Sequence, residues 1–136
     1  MSYSRDQVKQ ITDKVLNMCK ADAVAVGFSG GERSATRFAN SSITANLIEH
    51  DQEISVTVYY GQKSASASTH QADEESLKRM IDQVQELAKR KPDNPEVMLP
   101  VKPPQSYIEI DAVLPVTENF GPAERAAMPD QGFERQ

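Results

Sequence analysis

Two histidines, one cysteine, a Gly-Gly pair and a dense set of hydroxyls are the residues on which chemistry could rest in this chain. His50 and His70 stand twenty positions apart, with Asp51 and Glu53 beside the first and Asp73 near the second. Carboxylates so placed can orient an imidazole. No H-E-x-x-H and no C-x-x-C accompanies them, so the spacing describes solvated histidines at strand ends, and a two-histidine metal site would have to assemble in space. Cys19 falls on an apolar stripe with no histidine near it in sequence, which marks a buried structural thiol and not a nucleophile. Gly30-Gly31 has neither a following Lys-Ser nor a G-x-G-x-x-G spacing, so Ser29-Gly30-Gly31-Glu32 reads as a hairpin turn and not a phosphate loop. No serine sits in G-x-S-x-G. The residues spell out no catalytic centre.

What remains is a polar face. Ile54, Val56, Val58 and Tyr60 alternate with Ser55, Thr57 and Tyr59, and Ser64 to Ser68 repeats the alternation with small side chains. Period-two patterning of this kind gives a strand with one buried and one wet side. Thr57, Tyr59, Ser66 and Ser68 then share the wet side, and Arg37 and Asn40 can join them. Such a face suits a docked domain or an extended peptide held through backbone groups, and equally an ordinary solvated surface.

The elements that position these residues follow from local signals. Ser4 and Gln7 form a capping box, and Val8, Ile11, Val15, Leu16 and Cys19 at helical spacing predict a helix from about residue 5 to 20. Strands are expected over residues 23–29, 33–39, 43–49, 52–60 and 63–69, with Ile43, Ala45 and Leu47 facing the core and a turn at Tyr60-Gly61-Gln62-Lys63. Asp73 caps a second helix carrying the stripe Leu77, Met80, Ile81, Val84, Leu87 and Ala88, with Lys89, Arg90 and Lys91 in its last turn. Five prolines between Pro92 and Pro104 then forbid regular structure, Tyr107 to Asp111 offers a short edge strand, and a helix begun at Pro122 is expected to stop at Pro129. The fold class is α+β: a meander of four to five antiparallel strands, covered on one face by two helices, with a proline-rich C-terminal strap.

The totals narrow the function. With 136 residues the chain can bury one core. Its net charge of −5, with no basic run, disfavours direct nucleic-acid binding. A single cysteine excludes a disulfide framework, and no apolar stretch approaches a membrane span, so the expectation is a cytoplasmic protein without membrane contact.

Three strings carry a resemblance: Thr36-Arg37-Phe38-Ala39-Asn40-Ser41-Ser42-Ile43-Thr44, Ile54 to Gly61, and Ala65-Ser66-Ala67-Ser68-Thr69. With the helix start at Asp73 to Leu77 and the exit from Lys89 to Pro95, they resemble the N-terminal domain of the TldD/PmbA family, from about Ser4 to Pro100. The resemblance implies a domain over residues 1–100, followed by a linker, residues 101–136, toward a C-terminal domain. Members of that family are much longer, are known as modulators of DNA gyrase, and act as dimeric zinc metallopeptidases on unfolded or extended peptides. Their zinc motif lies in the C-terminal half of one subunit type, and nothing in this chain matches it. The resemblance therefore implies zinc in the parent enzyme or a partner subunit and none bound by this chain, a second TldD/PmbA-type subunit as partner, and an extended peptide as substrate. It assigns no catalytic or metal residue here. The sheet would help wall the cleft and the subunit contact, with Arg37, Asn40, Thr57, Tyr59, Ser66 and Ser68 as candidate binding residues. The alternative is a protein-interaction domain without catalysis, either a zinc-free PmbA-type partner or a stand-alone module.

Overall fold

The structure is a computed structural model that describes residues 3–40 and 42–133, with side chains through residue 128. Its elements run α1 (Arg5–Met18), β1 (Ala23–Ala39), β2 (Ser42–Tyr60), β3 (Lys63–Thr69), α2 (Glu74–Arg90), α3 (Pro115–Glu118) and α4 (Pro122–Phe133). The class is α+β, and the strands form one antiparallel sheet in the order β1-β2-β3.

The helix starts follow their caps. The Gln7 amide donates to Ser4 Oγ at 3.2 Å and the Ser4 amide to Gln7 Oε1 at 2.9 Å, which completes the capping box of α1. The Ser76 amide donates to the Asp73 carboxylate at 2.9 Å at the head of α2. The β2–β3 hairpin turns where expected. Tyr60 pairs with Lys63, and Gly61 holds φ at +57°, with its amide donating to Asp22 Oδ2 at 2.9 Å.

Three strands, and not four or five, make up the sheet among the described residues. The expected strands over 23–29 and 33–39 are one strand, and those over 43–49 and 52–60 are another. Gly30 does not turn the chain. A Cβ there would lie 3.1 Å from the Asp51 carbonyl oxygen and 3.4 Å from Gln52 Cα, so the glycine serves the close approach of β1 to β2. Pairing likewise carries β2 straight through the polar Glu49-His50-Asp51 stretch. The link from β1 to β2 passes through Asn40 at φ +52°, a left-handed conformation that asparagine tolerates; Ser41, read as part of that link, lies outside the described residues.

Two compact units divide the chain: residues 1–31 with 50–103, and residues 32–49 with 104–136. The first holds the core. Ile54, Val56 and Val58 of β2 and Ala65 of β3 are buried in one cluster with Val15 of α1 and Leu77, Met80, Ile81, Val84 and Ala88 of α2. Gln85 of α2 fastens this cluster at one end: its Oε1 accepts from the Lys20 amide at 2.8 Å and lies 3.1 Å from the Tyr60 hydroxyl, which also meets the Lys20 carbonyl. Leu87, expected in the stripe, stays half exposed.

The second unit contains the remaining parts of β1 and β2 together with α3 and α4. Ile43 and Leu47, expected to face a core, are about half exposed. Tyr107 to Asp111 forms no strand; it is irregular backbone whose Tyr107, Ile108 and Ile110 side chains are at least 80% exposed. Strand propensity there finds no partner edge among the described residues. The proline-rich stretch ends in two helices instead of continuing as a strap, since Pro115 and Pro122 both occupy first helical positions, where a missing amide costs nothing. Pro129 does not end α4, which runs on to Phe133. Among the described residues no helix is long and apolar enough to cross a membrane.

Candidate functional site

The β2–β3 pairing decides which hydroxyls meet. Ser55 faces Ser68, Thr57 faces Ser66, and Tyr59 faces Ser64. These three cross-strand pairs alternate with Val56, Val58 and Ala65, which are buried in the core, so all six side chains stand on the opposite face of the sheet. Thr57 Oγ1 and Ser66 Oγ are 2.8 Å apart and hydrogen-bond across the ladder. On β1, Val24, Val26 and Phe28 pack against the core, which leaves Ala23, Ala25 and Gly27 on the hydroxyl side. Gly27 sits so near Ser55 that a Cβ would come within 2.7 Å of Ser55 Oγ. The result is a low, hydroxyl-bearing face beside β3, the terminal strand of the sheet.

Of the six residues predicted from sequence, the structure brings Thr57, Tyr59, Ser66 and Ser68 together on this face. Arg37 and Asn40 belong to the other unit. The Arg37 carbonyl accepts from Thr44 Oγ1 at 3.2 Å, its side chain is exposed, and Asn40 occupies the strand connection. Neighbouring them, Thr36 Oγ1 receives the Nε of Arg125 at 3.2 Å, a contact that sequence reading missed because 89 positions separate the two.

Among the described residues, the face has hydroxyls with no hydrogen-bonded base to activate them. Thr57 and Ser66 bond each other, and the imidazole of His70 is engaged elsewhere, with its Nδ1 2.6 Å from the Gln52 carbonyl oxygen. A hydroxyl without a general base is a poor nucleophile at neutral pH. What the arrangement can do is hydrogen-bond an occupant lying along the sheet. Cys19 adds no chemistry: it is half buried against the core, and burial pushes its thiol pKa up. His50 and His70, read as separate strand-end residues, line one cavity.

No curated protein matches the chain. Residues 24–88, which span β1 to the last turns of α2, match the family described as PmbA/TldA metallopeptidase domain 1. The match supports an N-terminal TldD/PmbA domain over that stretch of the chain.

Proposed function

We propose that this domain forms part of the substrate cleft and the subunit contact of a TldD/PmbA-type zinc metallopeptidase that acts on unfolded or extended peptides, with the zinc centre outside this chain. The observation that supports this most is the register of β2 and β3, which lays three hydroxyl pairs along a face of small side chains beside the terminal strand. A peptide in extended form matches such a surface, since strand addition uses backbone groups that every unfolded sequence possesses. Globular substrates present few such segments. Arg37 and Asn40 serve as further polar anchors for peptide or subunit. Residues 101–136 lead toward the zinc-bearing part, the partner is a second TldD/PmbA-type subunit in the cytoplasm, and neither nucleic acid nor membrane is a direct ligand.

A catalytic zinc of the three-ligand type has no fitting residues here: among the described residues no group of three or more His, Cys, Asp or Glu is placed to hold a metal ion. In this reading the chain's part in the reaction is binding and orientation.

Anisotropy of a fluorescein-labelled, proline-free peptide tests the reading. Thr57→Val and Ser66→Ala are expected to weaken binding about 2- to 10-fold each, the worth of one hydrogen bond. Arg37→Ala is expected to weaken peptide binding or dimer formation while leaving the melting temperature unchanged. Unaltered affinity in both sheet variants would remove the face from the substrate path. Unfolding of Arg37→Ala would mark that residue as structural instead.

A further inference from the structure

Beside β3 lies a cavity of about 140 Å³, lined by residues 67–69 of that strand and by Gln71, Ser76, Arg79, Met80 and Gln83. No described residue of β2 lines it, so it opens on the side of β3 that faces away from its partner strand. β3 is the terminal strand, and among the described residues its backbone makes no hydrogen bond outside the ladder with β2. Such an edge of unpaired amides and carbonyls is a template for an extended chain. A strand added there projects every second side chain toward α2 and the alternate ones toward the hydroxyl side. Ser76, Arg79 and Gln83, three and four residues apart on α2, form the row that the first set would meet.

The chemistry of the lining is that of donors. Gln71 Oε1 accepts from Ser76 Oγ at 2.8 Å, which leaves the Gln71 side-chain amine to donate. Gln83 has no hydrogen-bond partner among the described residues. Arg79 is the one charged residue among the described lining. Its Nη2 meets Glu75 Oε1 at 3.0 Å, but the two side chains are 63% and 84% exposed, and an ion pair so solvated is weak enough to be exchanged. One guanidinium and two side-chain amides without a carboxylate match a carboxylate brought from outside, which guanidinium can grip through both oxygens. We propose that this cavity is a subsite for one acidic side chain of an extended peptide added to β3, with Arg79 leaving Glu75 for the peptide's carboxylate. The inference rests on the peptide-binding reading above and adds to it a preference at one position of the peptide.

The test uses the full chain and three fluorescein-labelled, proline-free peptides that differ only in a central glutamate, alanine or lysine, with affinities read by anisotropy. The glutamate peptide is expected to bind about 3- to 10-fold tighter than the alanine peptide, and the lysine peptide most weakly. Arg79→Gln should erase the preference for glutamate, and Arg79→Glu should turn it toward lysine. Lys78→Gln removes a neighbouring exposed cation that does not line the cavity, and should leave the preference as it is. Equal affinity of the glutamate and alanine peptides overturns the subsite and leaves the peptide-binding reading standing. A preference that survives Arg79→Gln, or that Lys78→Gln removes equally, marks general charge attraction and also overturns the subsite. Binding of none of the three peptides would end both readings.

Discussion

Asp73 shows how much one carboxylate fixes. The Ser76 amide hydrogen bond is the main cause that holds its pKa below the usual aspartate range, with the Ser76 side chain and then the Arg79 charge adding to it. A folded-state pKa below the unfolded one gives stability that is present above the ordinary aspartate range and lost as pH falls through the folded value. Acid titration followed by circular dichroism should therefore show α2 weakening below about pH 4. Asp73→Asn keeps the acceptor and should flatten that acid response, whereas Asp73→Ala should lower the melting temperature at neutral pH as well. Cys19 obeys the opposite sign. Burial raises its pKa, so the thiolate fraction is small, and its reaction with a disulfide reagent at pH 8 should be slower than that of a free cysteine peptide. A rate equal to the peptide's would show the thiol to be exposed.

At the scale of elements, adjacent glycines make opposite predictions. Gly30 presses against backbone atoms of β2, whereas a Cβ at Gly31 meets nothing within 4 Å. Gly30→Ala should destabilise by about 1–3 kcal/mol through overpacking. Gly31→Ala should be neutral or stabilise by about 0.4–1 kcal/mol, because alanine restricts the unfolded chain. Urea unfolding of the two variants checks the contrast, and equal destabilisation would mean that Gly31 too is structurally committed. The same glycines show what sequence could and could not supply. The α2 stripe and the hairpin at Gly61 were legible because periodicity and turn chemistry there agree with the tertiary fold. The division of β1 and β2 into shorter strands was misread because Gly-Gly and Glu-His-Asp are local break signals that long-range pairing overrides. Tyr107 to Asp111 failed the other way: its alternation is strand-like, yet a strand needs an edge to join. The hydroxyl rows of the site could be read from alternation alone. That His50 and His70 line one cavity could not, since local signals do not show which chain segments share a space.

For the whole molecule, the core rests on one face of the sheet and the proposed binding on the other. The buried face supplies the cluster around Ile54, Val56 and Val58, and Ile81→Ala within it should cost about 2–5 kcal/mol in chemical unfolding. The opposite face carries the hydroxyl pairs, where changes should alter binding with little effect on stability. In the proposed reading, the chemistry is supplied from outside this domain. The most direct check is the intact mass of the protein purified from its native source, with zinc and peptidase activity quantified on the same sample. The account predicts zinc in stoichiometric amount and cleavage of unfolded peptides, in a polypeptide or a complex larger than the 15.0 kDa of this chain. A 15.0 kDa species that purifies alone, without zinc or cleavage, would contradict it and leave a binding module.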